Sequence, residues 1–345
     1  MLSSVDDKYD KTPGSFFDDA LNPAAIEFEN QGTELVNVKL KLNVENLSGL
    51  ELERFINQRT GINRKQATKA SAEVTIYGSE SASIKVGDLV ASEVVNYVVK
   101  DNKTIGPSKE AAVLVECEIP GSIGNVPIGA IKYFPITIAG LTGVVNVGPV
   151  TNGYESESDE ELRNRYYDKI QTPATSGNKH HYLNWAKEIV GAGDARVISL
   201  WNGNNTVKVV IIDANKQPAS AELVLEVQNH IDPNITGLGD GVAPIGAFCT
   251  VISAISKDIN ITFTVTRDIN FNLEEVKIDV KNNISNYLKA IAFKESIVSH
   301  AILGATILGS KGVLDYSLLK INTGVSNINI GNEEVAILGT VVINE

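Results

Sequence analysis

The sequence predicts an α+β protein of several domains. A helical assembly arm covers residues 1–70 and a β-rich domain 71–150; two small α+β domains follow at 151–256 and 257–345. Three observations carry this reading. The chain has 345 residues, enough for two to four compact units. The spacing of apolar residues switches along the chain between the helical and the strand period. Gly and Pro clusters fall where the period changes.

Residues 1–60 read as helical. GSFFDDALNPAAIEFENQGTELVNV puts Phe17, Leu21, Ala25, Phe28 and Leu35 near one face, at spacings of three, four and seven. Pro23 belongs in a first turn or at a kink, because its ring excludes the usual helical hydrogen bond. In SGLELERFINQRTG, Ser48 and Glu51 have the spacing of a capping box and Gly61 is placed to end the helix. RTGINRKQATK, from Arg59 to Lys69, is a small basic island and reads as a solvated loop.

From 71 to 150 the pattern is short and β-branched. SAEVTIYG, VVNYVVK and AAVLVECEIPG are strands, and IPGSIGNVPIGAI breaks up the rest, as in a sandwich or small barrel. The next region begins with two helices, 158–170 and about 178–190. ARVISLW and TVKVVIID then pair across NGNN as a hairpin. ASAELVLEVQNHI is a helix with Leu223, Val224, Val227 and Ile231 on one face and Asp232-Pro233 as its stop, and PIGAFCTVISAI is a strand. The order helix, helix, strand, strand, helix, strand puts helices over one face of a small sheet. The last region has the strand INITFTVTRD and an amphipathic helix carrying Val276, Val280, Ile284, Leu288 and Ile291. SIVSHAILGATIL is a further helix, and DYSLLKI, SNINIG and EVAILGTVVIN are short strands.

Composition narrows the function. A net charge of −12 disfavours nucleic acid, whose phosphates are bound by Lys and Arg. No run approaches the ~20 apolar residues that cross a bilayer, and MLSSVDDKYDK has neither the basic leader nor the apolar core of a secretion signal. Cytoplasmic synthesis without a nucleic-acid or membrane partner is the expectation. Cys117 and Cys249 lie far apart in strand-like surroundings and read as buried free thiols.

The chemical candidates are weak. NGYESESDEELRNRYYDKI (152–170) crowds Glu155, Glu157, Asp159, Glu160 and Glu161 into seven positions. A Ca²⁺ loop would need oxygen ligands at alternate positions with a central Gly, and that pattern is missing. Ser158 and Glu161 instead form a capping box, with acids stabilised in the first turn by the helix dipole. Arg163 and Arg165 come too early for the helix C-terminus and should pair with a neighbouring surface. His180 and His181 are adjacent rather than four apart, as a helical zinc pair requires. His230 and His300 stand alone. GATILGSKG (304–312) reverses the Lys and Ser of a phosphate loop, and GLGDG (237–241) reads as a turn. No catalytic, cofactor-binding or metal-binding residue is assigned, and no cofactor is expected.

Several segments in order resemble one family, the baseplate J-like proteins of contractile phage tails and phage-derived tail particles. They are DKTPGSFFDDALNPAAIEFE, LSGLELERFINQRTGINRKQATKASAEVTIYG, GSIGNVPIGAI, NGYESESDEELRNRYYDKI, GDGVAPIGAF and LLKINTGVSNINIGNEEVAILGTVVIN. The likeness spans essentially the whole chain and is nearest to particles of Gram-positive bacteria. It implies a non-catalytic wedge subunit, in which a second copy of the chain and a different subunit complete a heterotrimer. Six wedges would form a ring around the hub and spike, hold the sheath extended and change shape to trigger contraction. Incorporation into a virion or phage-like particle, released on lysis, would follow. A cell-wall hydrolase working through Glu and Asp would need a signature the chain lacks. A receptor-binding module would need repeats or an aromatic-rich tip. VTNGYESES (150–158) is polar and Gly-containing and is expected to act as a hinge or corner.

Overall fold

The computed structural model describes residues 1–171, 175 and 177–345. It separates into two compact units, one made of Met1–Arg64 with Glu157–Ile170, the other of Lys65–Ser156 with Gln171–Glu345. An N-terminal helical region, a curled β-rich region and smaller α+β regions follow one another as the apolar periods predict. The described residues hold seven α-helices and fifteen strands.

The first unit is helical. α1 (Phe16–Lys41) starts at Ser15, whose side chain accepts the Asp18 N–H, and carries acids in its first turn and lysines in its last. Pro23 lies inside α1 rather than in its first turn. α2 (Gly49–Thr60) ends at Gly61 with φ 72°, a left-handed conformation that costs a residue without Cβ little. The capping box expected at Ser48 is absent: its side chain makes no cap hydrogen bond, and the Gly49 N–H goes to Asp159 Oδ2 at 3.0 Å. α3 (Asp159–Gln171) buries Leu162 and Tyr166, one turn apart, against Leu52 and Ile56, also one turn apart on α2. Val44 and Leu47 complete this small core.

The β-rich region forms a five-stranded sheet ordered β3-β4-β6-β1-β7, with β1 (Lys69–Gly78), β3 (Leu89–Ala91), β4 (Asn96–Val99), β6 (Glu110–Pro120) and β7 (Leu141–Asn146). β2 (Ser83–Ile84) pairs with β5 (Lys103–Thr104) beside it. Alternate residues Val74, Ile76, Val113, Val115 and Cys117 point into one core with Tyr97. Within the 150–158 stretch expected to be a hinge or corner, residues 152–155 are tied to the β-rich region. Thr68 N–H donates to Tyr154 O at 2.9 Å, Ser71 N–H to Asn152 Oδ1 at 2.8 Å, and Ser122 N–H to Glu155 Oε1 at 2.8 Å.

In the middle region, α4 (Lys179–Glu188) precedes the hairpin of β8 (Ala192–Ser199) and β9 (Thr206–Asp213). α5 (Ala221–Ile231), capped by Ser220, then crosses over to β10 (Phe248–Ser253), which lies parallel to β9. Gln228 and Asp232 occupy the outer edge of β10. The Val251 N–H donates to Gln228 Oε1 at 2.7 Å and the Cys249 N–H to Asp232 Oδ2 at 2.9 Å. Side chains thus take groups that another strand would otherwise pair.

The last region is a sheet ordered β13-β11-β15, from β11 (Ile255–Arg267), β13 (Val313–Ile321) and β15 (Glu334–Asn344). α6 (Leu273–Ile291) covers it, burying Val276, Val280, Ile284 and Leu288. The helix expected over 296–308 is shorter: Ile297–Val298 forms β12, paired with β14 (Ile328–Asn329), and α7 runs from His300 to Leu308. Ser299 caps α7 by accepting the Ile302 N–H, which forces the chain out of helical geometry just before it. Cys117 and Cys249 are free and buried.

Candidate assembly surface

The charged stretch resolves into structural contacts. Glu161 Oε2 accepts the Ser158 N–H at 3.0 Å while the Glu161 N–H donates to Ser158 Oγ at 3.2 Å, a reciprocal capping box. Arg163 donates to the carbonyls of Leu47 at 2.7 Å and Val44 at 3.2 Å, closing the end of the turn before α2. Arg165 pairs with Glu157 at 2.8 Å and also donates to Asn63 O. The Gly49 N–H and Arg64 hold the Asp159 carboxyl below the usual carboxylate range, and the Ser122 hydroxyl and N–H do the same for Glu155.

The basic island is not the solvated loop its composition suggests. The side chain of Arg64 is only 12% exposed and reaches Asp159 at 2.5 Å and Glu157 O at 2.6 Å. The Lys65 ammonium donates to Ile189 O and Ala192 O, each at 3.0 Å. Neither partnership can be read from the composition of RTGINRKQATK.

The other candidates are scattered. His181 Nδ1 accepts the Gly177 N–H, and its ring stacks on Trp185 with centroids 4.6 Å apart. His230 faces Glu188 at 3.1 Å and His300 faces Leu319 O at 3.2 Å. Ser310 of GATILGSKG is buried against Asn283 and Thr306 O. Burial next to Asp232 pushes the Cys249 thiol up to about 12. Among the described residues no group of three or more His, Cys, Asp and Glu could hold a metal ion. No helix among them is long and apolar enough to cross a membrane.

What stands out is α1. It is about 39 Å long at 1.5 Å per residue, yet its one buried residue is Asp18. Phe28, Leu35 and Leu42 are 60%, 70% and 69% exposed, and with Leu21 they recur every seven residues. Ala25 and Gly32 lie between them, small enough to receive a neighbouring side chain. A strict seven-residue repeat is the spacing of a left-handed coiled-coil seam. Leu42 and Lys39, at the foot of α1, also line an open apolar groove with Val44, Phe55, Tyr166 and Ile170. An apolar face on this helix, and a helical arm of residues 14–60 that lacks its own core, are both expectations of the sequence; within the first unit nothing covers α1, whereas α2 buries Leu52 and Ile56.

Three family models match successive segments: the baseplate J-like barrel domain over residues 73–153, the central domain over 174–253, and the C-terminal domain over 259–344. Protein YqbT of Bacillus subtilis (strain 168) is 35% identical over 348 residues, spanning 100% of this chain and 95% of its own. The phage-like element PBSX protein XkdT of the same strain is 34% identical, with the same coverage. The baseplate protein gp47 of Escherichia phage Mu is 27% identical over 279 residues, 75% of this chain and 72% of its own. With relatives matched from end to end and three domain models in order, this chain belongs to the baseplate J-like family.

Proposed function

We propose that the chain is a structural subunit of a contractile-tail baseplate and that it works in the wedge. It joins a second copy of itself and a different subunit in a heterotrimer, and six wedges ring the hub beneath the sheath. The ring holds the sheath extended and changes shape to trigger contraction. Family membership supports the baseplate assignment, and the relatives XkdT and gp47 are named for a phage-like element and a baseplate. The role is assembly rather than catalysis, and the site of action is the particle.

The observation that carries the wedge reading is the uncovered seam of α1. Leu21, Phe28, Leu35 and Leu42 are worth roughly 1.5–3 kcal/mol each when fully buried, so a helical partner repays the ordering of a long arm. The discriminating truncation removes residues 1–41. Removing 1–60 would also take away Val44, Leu47, Leu52 and Ile56, which cover Leu162 and Tyr166 of α3.

The test is native mass by light scattering, for the full chain and the truncation, each alone and co-expressed with the product of the neighbouring gene. A complex with two copies of the full chain and one of the neighbour, lost on truncation, is the expected result. A full chain that stays monomeric beside its neighbour overturns the wedge, and a truncated chain that still assembles overturns the role of α1.

A further inference from the structure

The second unit contains two internal joints, and they differ in kind. Between the middle and last regions the joint is built on an apolar cluster, in which Val210 and Ile212 of β9 pack with Ala292 and Val335, and Lys208 also pairs with Glu333 across it at 2.7 Å. The Arg196 guanidinium stands 4.6 Å over the Phe293 ring and donates to Gly331 O at 2.9 Å. Opening this joint would expose branched aliphatic side chains to water, which offers them nothing in return.

Between the barrel and the middle region the joint is made differently. Lys65, on the segment entering the barrel, places its ammonium between Ile189 O and Ala192 O at the end of α4. Tyr154, on the segment leaving the barrel, lies against Gly191, where a Cβ would come within 2.7 Å of its ring. A further polar tie is Asn215 Nδ2 to Gly153 O at 3.4 Å. An ammonium on a four-carbon stem exchanges carbonyls for water with little reorganisation.

We propose that the barrel–middle joint is the yielding one of the two and that Lys65 is its latch, with Tyr154 seated in the notch left by Gly191. The fastened strap at 152–155 moves with the barrel. Motion is therefore confined to the contact of Lys65 and Tyr154 with residues 189–192. Nothing in this requires a particle or a partner, so it stands apart from the wedge.

Hydrogen exchange on the full chain tests it, comparing the native protein with Lys65→Met, Lys65→Arg and Gly191→Ala. The reporters at the polar joint are the two amides at its lip, one on each side of the Tyr154–Gly191 contact, which meet water when Tyr154 leaves the notch: on the barrel side the Thr68 N–H, bound to Tyr154 O, and on the middle side the Ala214 N–H, bound to Gly191 O. At the apolar joint they are the Ala254 N–H, bound to Ile211 O, and the Ile255 N–H, bound to Glu333 O. Lys65→Met and Gly191→Ala should speed exchange at Thr68 and Ala214 by about tenfold or more and leave Ala254 and Ile255 unchanged. Lys65→Arg, which keeps the charge, should preserve most of the protection. Unchanged exchange at Thr68 and Ala214 in Lys65→Met overturns the latch. An equal rise at both joints overturns it too, because that is general destabilisation.

Discussion

α1 and α6 are both long helices with an apolar stripe at helical spacing, and they end in opposite situations. α6 buries Val276, Val280, Ile284 and Leu288 on its own sheet, whereas α1 buries only Asp18. Period tells which face of a helix is apolar; it does not tell what covers it. In the second unit the cover lies in the same chain. For α1 nothing in the first unit covers the seven-residue repeat.

That contrast is easiest to break with matched truncations. Ile284→Ala empties a fully buried site and should cost about 2–5 kcal/mol. Leu35→Ala, at a position 70% exposed, should change the stability of the isolated chain by less than about 0.5 kcal/mol while weakening the complex that the proposed wedge requires. Denaturant unfolding followed by tryptophan fluorescence reads the first directly, since Trp185 and Trp201 both belong to the second unit. Equal losses in the two variants would mean that α1 is covered within the isolated chain.

The second unit should also carry a pH dependence that the first does not share. Burial raises the Asp213 carboxyl to about 6, against the Gln217 and Asn215 N–H groups and Lys216 and Lys289, which pull it down. The folded state thus holds a proton that the unfolded chain releases near 3.8. Stability is fully present below about pH 4 and is lost as pH rises through 6, by up to about 3 kcal/mol. Asp213→Asn keeps an oxygen for the Gln217 N–H and cannot ionise. It should raise the tryptophan-detected midpoint at pH 7.5 and leave it unmoved at pH 4. A midpoint that rises equally at both pH values would refute the assignment.

Much of this architecture could be read from residue order. The hairpin about NGNN, the α5 stripe, the Gly61 stop and the Ser158–Glu161 cap all depend on neighbours in sequence, and local chemistry is legible there. What could not be read depends on distant partners. Ser48 has the spacing of a capping box, yet the Gly49 N–H is taken by Asp159, 110 residues away. Lys65 and Arg64 read as a charged loop because the carbonyls and acids that hold them lie far along the chain. The start of α7 was misplaced because SIV looks helical by composition while pairing with residues 328–329 makes it a strand. The seam of α1 is the limiting case, since its residues are spaced for a partner and nothing in the first unit covers them.

Within the first unit the comparison sharpens on Arg163. α3 is held over α2 by Leu162 and Tyr166 and by the two carbonyls that Arg163 accommodates. Hydrogen bonds to a charged donor are worth about 1.5–3 kcal/mol when partly buried. Arg163→Ala should therefore speed amide exchange in α2 and α3 by roughly ten- to a hundredfold, without moving the tryptophan transition. If both units loosen together, they do not fold as separate cooperative bodies.

The smallest effect is that of the cap. Ser158→Ala removes the oxygen that receives the Glu161 N–H and the hydroxyl that donates to the Glu161 carboxylate, leaving the backbone N–H of residue 158 as that carboxylate's donor, at a cost of about 1 kcal/mol. Arg165, Arg163 and Asp159 still pin the first two turns of α3, so the fraying should be confined to the amides of residues 159–161. Ser158→Asp restores an acceptor at the same position and should recover most of the loss. Exchange confined to the first turn in Ser158→Ala, and reversed in Ser158→Asp, would show that the acidic stretch acts as a helix start. Loss of protection throughout α3 would show instead that the Ser158–Glu161 pair is what holds α3 in place, and that the arginine contacts follow from it.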